Sequence, residues 1–209
     1  MKKILVIITV LCAISLCATA QVVDQETVGK PTDVACIYNE DAGLKAKSFI
    51  VINKKDLRLY VYAKGDGEFH LLAKFPVCLS KNKGQKQRKG DMKTPSCTPE
   101  KPFTITQIQN ASTWKHDFGD GRGSIKAYGH WFLRLKTGFS GIGIHGSTNN
   151  EKSVPGRASE GCIRLRDSDI ITLKEKFAYV GMPVIILDEN QEGLSYEKYA
   201  HEQIINQTK

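Results

Sequence analysis

The feature that most constrains the fold is an alternation of apolar and polar side chains from Ser48 to Tyr62, where Ile50 and Ile52, then Leu57, Leu59 and Val61, recur at every second position. A period of two puts such side chains on one face of a strand, and Lys54-Lys55-Asp56 between the two runs supplies a turn. A third strand, Phe69 to Leu79, follows the turn signal Gly65-Asp66-Gly67 and completes a meander. Strand signals return at Phe103 to Ile108, Trp131 to Leu135 and Ile142 to His145, each bounded by Gly, Pro, Asn or Ser, and Val184 to Leu187 is apolar throughout, as a core strand is. One helix is expected from Ser168 to Phe177, with Asp167 or Ser168 as its cap and Ile170, Ile171 and Leu173 on its apolar side. The chain therefore reads as mainly β, a curved sandwich or open barrel with one or two short helices.

The N-terminus leads us to expect this domain outside the cytoplasm. Lys2 and Lys3 precede an apolar run from Ile4 to Cys17, and Ala18-Thr19-Ala20 follows at once. This is the pattern of a secretory signal peptide over residues 1–20, cleaved after Ala20. The run is shorter than the ~20 residues of a spanning helix, and the leucines before Cys12 and Cys17 stand where lipoprotein processing needs a small side chain. Of 209 residues, the loss of 20 leaves 189, enough for one domain with a sizeable core, and no second membrane segment is expected in the mature chain. Residues 21–47 read as an N-terminal extension without periodicity, 48–187 as the domain, and 188–209 as a polar tail or a short helix around Tyr196 to Ile205. Removing Lys2 and Lys3 lowers the formal charge from +8 to +6, which suits an anionic wall polymer or membrane surface. The expected export and the lack of a base-stacking or groove-reading pattern argue against nucleic acid as the partner. The segment 81–93 carries Lys81, Lys83, Lys86, Arg88, Lys89 and Lys93 against Asp91, and is expected to be a solvated basic loop, either a plain surface loop or a wall contact.

The residues with chemistry to offer lie in Gly141-Ile142-Gly143-Ile144-His145-Gly146-Ser147 and in Ser159-Glu160-Gly161-Cys162-Ile163-Arg164. A histidine at a strand end stands seventeen positions before a cysteine, and the sixteen residues between them are enough to join neighbouring strands. A thiol needs a base to become a nucleophile, and the base needs its ring held in one tautomer. His145 and Cys162 supply that pair. Gly161 leaves room for a substrate carbonyl, and the amides around Cys162 are candidates for an oxyanion hole. Singly, each residue has a plainer reading, a small buried apolar cysteine and a satisfied structural histidine. Neither His70, His116, His130 and His201 nor the cysteines show metal-ligand spacing, so no metal and no cofactor is expected. Trp114, His116, Asp117 and Phe118 read as a long loop near the groove, and Gly119 to Gly123 lacks the lysine-serine pair and helix of a phosphate loop.

Taken together these motifs resemble the L,D-transpeptidase family with the YkuD-type catalytic domain, whose signature is histidine-glycine followed by Ser-x-Gly-Cys, an apolar residue and Arg or Asn. The resemblance runs from Ser48 to Leu187 and includes Gly90-Asp91 with Thr94-Pro95, Phe103-Thr104-Ile105, Tyr128-Gly129 and Trp131. It implies that Cys162 attacks, that His145 takes the thiol proton, and that the carbonyl of Gly146 orients the imidazole. Arg164 matches a position thought to hold a substrate carboxylate, and a buttress of the catalytic loop is its alternative reading. Ser159, Gly161, Tyr128 and Ser147 fall at family positions beside substrate, with Ser159 alternatively a turn residue that fixes the loop. The implied partner is the peptidoglycan stem peptide, handled by a monomer in the periplasm or at the cell wall. Two features depart from the pattern. Glu160 stands where many members have histidine, and is expected to face solvent, because a buried like charge opposes thiolate formation. Ser96 to Pro102 lengthens the link after Thr94-Pro95. With Cys162 a working thiol, Cys78 and Cys97 are expected to form a disulfide stapling the basic loop, with Cys36–Cys97 as the alternative.

Overall fold

The computed structural model describes residues 48–65 and 68–190. The expected leader, the N-terminal extension with Cys36, and the tail around Tyr196 to Ile205 lie outside the described residues. The first three strands, β1 (Ser48–Asn53), β2 (Arg58–Gly65) and β3 (Glu68–Pro76), form the expected antiparallel meander, with Ile50 opposite Val61 and Ile52 opposite Leu59. Their alternating residues fill one core with Phe75, Ile144 and Ile163. The reverse face of β1 is buried as well: Phe49 and Val51 pack with Tyr62, Ile185 and Leu187 in a second cluster. Every residue of β1 is therefore buried, because the strand lies inside the sheet, flanked by β2 and by β12 (Pro183–Ile186), which runs parallel to it.

The third expected strand breaks at Val77, whose amide donates to the Leu57 carbonyl at 2.9 Å, and β4 (Cys78–Ser80) continues in another part of the sheet. The remaining strands are β5 (Phe103–Asn110), β8 (Trp131–Leu135), β9 (Gly143–His145), β10 (Gly156–Ser159) and β11 (Ile163–Arg164). One ten-stranded mixed sheet results, in the order β10-β4-β11-β9-β8-β5-β12-β1-β2-β3. The protein is mainly β, as expected. Residues 115–126, read as a long loop, instead form a hairpin of β6 (Lys115–Asp117) and β7 (Ser124–Lys126).

The helix α1 (Asp167–Lys176) lies where expected and packs Ile170 and Leu173 into the core against β8 and β9. Its cap differs. Arg166 occupies the N-cap position and gives no side-chain cap; the Asp167 amide instead donates to Glu151 Oε1 at 2.9 Å. The Asp167 carboxylate is committed elsewhere, accepting from the His130 amide at 2.7 Å. Among the described residues no helix is long and apolar enough to cross a membrane.

The structure refines one expectation about the basic loop and overturns another. Lys86 is buried and pairs with Asp91 at 2.7 Å, and Asp91 also accepts the amides of Gln87, Arg88 and Lys93 at 2.7, 3.1 and 3.1 Å. Partial desolvation works against the Asp91 carboxylate, but these donors outweigh it and hold its pKa well below the usual range. The loop is thus folded around one acid, while Lys81, Lys83, Arg88 and Lys89 are exposed as expected. Nor do Cys78 and Cys97 form a disulfide, since both are free thiols. Cys78 is in β4 with its sulfur 3.9 Å from the Arg164 guanidinium, whereas Cys97 accepts the Ile186 amide at 3.3 Å on β12. Four strands separate β4 from β12 in the sheet, so the two ends of the loop, close in sequence, lead to different parts of it.

Candidate active site

Strands β9 and β11 are parallel neighbours, with Ile144 opposite Ile163 and His145 opposite Arg164. Parallel neighbours need a crossover of a dozen or more residues, and residues 146–162 supply it, passing through a 3-10 turn (Glu151–Ser153) and β10. The spacing of His145 and Cys162 is therefore the length of that connection. It brings both residues to one cavity of about 510 Å³, lined also by Arg164, Tyr128, His116 and Glu160.

His145 is buried at 3 % exposure. Its ring stacks on Phe132 with centroids 5.7 Å apart and meets Tyr128 at 4.9 Å. Nδ1 lies 2.6 Å from the Gly146 carbonyl. A carbonyl only accepts, so Nδ1 carries the proton and the lone pair is on Nε2. Burial, reinforced by the nearby Arg164 charge and only partly opposed by the Gly146 bond, lowers the imidazole pKa to about 3. The ring is a neutral base throughout the physiological range. The thiol of Cys162 donates to the Gly141 carbonyl at 3.2 Å. Burial raises its pKa, while the Gly143 amide and the Arg164 charge pull the other way. One cavity thus holds a thiol whose pKa is raised and an imidazole whose pKa is lowered, both of which favour the neutral forms.

The loop before Cys162 is shaped by Ser159 and Gly161. Ser159 Oγ donates to the Cys162 carbonyl at 2.6 Å and accepts the Gly161 amide at 3.3 Å. Gly161 has φ +146°, and a side chain there would meet Ile142 and the Lys93 carbonyl at 3.1 Å, so a larger residue is strained both in backbone and in space. The Ser159 hydroxyl, although its residue lines the cavity, is spent within the loop. Ser147 does not reach the cavity: it is buried and donates to the Leu165 carbonyl at 2.7 Å. Tyr128 does line it. Arg164 is 3 % exposed and donates to Ser153 Oγ at 2.9 Å, with its guanidinium 5.6 Å from the Phe118 ring.

Gly146 is sterically required. A Cβ there would lie 2.5 Å from Asp167 Oδ1 and 2.8 Å from Ile170 Cγ2. Gly146→Ala is expected to destabilise the fold by about 1–3 kcal/mol by overpacking, measured as a lowered midpoint in urea.

Glu160 corrects another expectation. Rather than facing solvent, it lines the cavity and pairs with His116 Nε2 on β6 at 3.2 Å, each side chain about one third exposed at 37 % and 32 %. The hairpin supplies a partner that a reading of Glu160 alone could not reveal. Glu160 still raises the Cys162 pKa, though less than burial does. Glu160→Gln is therefore expected to lower the apparent thiol pKa and to speed iodoacetamide alkylation at neutral pH by less than about tenfold; rates measured against pH check this. Lys86, Met92 and Phe139 also line the cavity, and sequence reasoning missed them. The signal for Lys86 was Asp91, five positions later, which tethers it.

Among the described residues no group of three or more His, Cys, Asp or Glu side chains converges as a metal site would.

The site can be set beside known proteins. "Putative L,D-transpeptidase YqjB" of Bacillus subtilis (strain 168) is 34 % identical over 113 residues, 53 % of this chain and 61 % of that protein; the chain thus matches less than two thirds of that relative's length. The structure of Bdellovibrio bacteriovorus Bd1075 superposes with a TM-score of 0.51 at 20 % identity, covering 84 % of this chain and 61 % of that one, and it shares the fold. An L,D-transpeptidase from Mycobacterium smegmatis gives a TM-score of 0.47 at 19 % identity, covering 68 % and 58 %. Residues 47–186, more than half of the chain, match the YkuD family, the L,D-transpeptidase catalytic domain, and the chain belongs to that family.

Proposed function

We propose that this chain is an exported peptidoglycan L,D-transpeptidase working through a thioester on Cys162. The observation that supports this best is the buried, neutral His145, whose Nδ1 is held by the Gly146 carbonyl, in the same cavity as the thiol. Cys162 Sγ attacks the carbonyl of the L-centre in a donor stem tetrapeptide, and its proton passes to His145 Nε2. The oxyanion is stabilised by backbone amides near Cys162. Collapse breaks the peptide bond, His145 returns the proton to the departing amine, and D-alanine leaves a thioester behind. An acceptor amine then attacks, giving its proton to His145, and the thiolate leaves and is reprotonated. Thioesters stay reactive toward amines, which suits cysteine to transfer. Arg164 brings a buried positive charge to the cavity wall for a substrate carboxylate, Tyr128 and Gly146 hold His145, and Ser159 and Gly161 hold the nucleophile loop. The protein acts as a monomer, in the periplasm or at the wall after loss of residues 1–20.

Water in place of the amine gives an L,D-carboxypeptidase or endopeptidase. Incubation with disaccharide tetrapeptide, followed by mass spectrometry, separates the readings. A cross-linked dimer is expected. A tripeptide product alone makes the chain a carboxypeptidase, and no product at all would leave a catalytically silent wall-binding protein.

A further inference from the structure

The polar contacts that orient the His145 ring come from main chain. No carboxylate of a described residue pairs with the ring; it meets the Gly146 carbonyl, 2.6 Å from Nδ1, and the Tyr128 backbone. Those two groups belong to separate segments, residues 128–130 leading into β8 and residues 145–146 leaving β9. The segments touch at two glycines, since a Cβ on Gly146 would lie 3.0 Å from the Gly129 Cα. The Gly146 amide donates to the Trp131 carbonyl at 3.3 Å, a long bond that fixes the junction only weakly.

Asp167 bridges this junction. It is the first residue of α1, yet its carboxylate is bonded outside the helix: Oδ1 accepts the His130 amide at 2.7 Å, and Oδ2 pairs with His130 Nδ1. Oδ1 also lies against the other segment, where a Cβ on Gly146 would be 2.5 Å from it. The Asp167 side chain is 18 % exposed, so water competes little for these bonds, and a carboxylate accepts an amide more strongly than a neutral oxygen does. The residue itself is fixed from behind. Its amide donates to Glu151 Oε1 at 2.9 Å, and α1 packs Ile170 and Leu173 into the core.

We propose that Asp167 is a positioning residue for the base: its carboxylate fixes residues 128–130 against residues 145–146, and so sets the two main-chain contacts that orient the His145 imidazole. The inference takes His145 as the base from the acyl-transfer reading, but its first readout needs no turnover, so the two fail separately. The measurement is nitrogen-resolved NMR of the imidazole in the folded mature chain, with the His145 signals assigned by their loss in His145→Phe. Asp167→Ala is expected to shift or broaden those signals while the amide signals of β1, β2 and β3 stay in place, and to lower kcat at least about tenfold with KM within about twofold. Asp167→Asn keeps an oxygen for the His130 amide and offers an NH2 to a His130 Nδ1 that accepts; it should restore the His145 signals and most of kcat. Asp167→Ser, whose hydroxyl is too short to bridge both His130 donors, takes the place of Asp167→Ala if that variant does not fold. A purely structural Asp167 would lower the melting temperature and leave the ring alone. The proposal is overturned if the His145 signals are unmoved in folded Asp167→Ala or Asp167→Ser, if neither variant folds, or if the signals move and Asp167→Asn fails to restore them. Moved signals in a chain that cross-links nothing would uphold the positioning role and overturn the acyl-transfer reading instead.

Discussion

Replacing Cys162 with alanine is expected to abolish acyl transfer, lowering kcat by at least about four orders of magnitude, because Cys162 is the one thiol among the described residues lining the cavity. Cys78, the other thiol near Arg164, is fully buried in β4. The fold should survive the change. The thiol's polar contacts, with the Gly141 carbonyl and the Gly143 amide, are made by a partly exposed side chain, and the Cys162 backbone is held by Ser159 instead. Circular dichroism and a thermal melt of the variant therefore accompany the rate measurement, and a folded Cys162→Ala that still turns over would remove the proposed mechanism.

The second large effect is at His145. His145→Ala is expected to cost about 10²–10⁴ in kcat/KM, the span of a lost general base. The form of the pH profile follows from the lowered pKa. A base that protonates only near 3 stays competent at pH 5, so kcat/KM should not fall through the ordinary histidine range near 6.5 on the acid side. Stability carries the same shift with a definite sign. The unfolded chain binds a proton at about 6.5 and the folded ring only near 3, so below about 6.5 the unfolded state binds more protons. The His145 contribution is fully present above that pH and drains away as the pH falls toward 3, by a few kcal/mol in all. His145→Phe, which fits a ring between Phe132 and Tyr128, should lose less stability than wild type over that interval, as urea midpoints at pH 7 and pH 4.5 would show.

The sequence made the meander, strands β5, β8, β9 and β12, and helix α1 legible, because each has a period or an apolar run long enough to register. It hid β10 and β11, whose four and two residues are too short for any periodicity. It also hid the double burial of β1, since Phe49 and Val51 look like interruptions until the second cluster is seen. The catalytic candidates were legible from motif and spacing, and the parallel pairing of β9 with β11 explains the spacing. What could not be read were effects reaching across elements. The Glu160 carboxylate finds His116 on a hairpin that read as loop, Lys86 is drawn in by Asp91, and the cysteines that flank the basic loop are carried to strands β4 and β12, which four other strands separate in the sheet. Ser147, chosen for its place after His145-Gly146, turns inward to the Leu165 carbonyl.

The central claim is that the stem peptide, after loss of its D-alanine, is carried as a thioester on Cys162. The most direct measurement is the intact mass of the protein, quenched in acid within the first turnover with a donor stem tetrapeptide and no amine acceptor, followed by peptide mapping. The account predicts a mass increase equal to the stem peptide less D-alanine, located on the peptide holding Cys162, removed by hydroxylamine and absent in Cys162→Ser. Product formation with no adduct at any quench time, or an adduct that persists in Cys162→Ser, would contradict it.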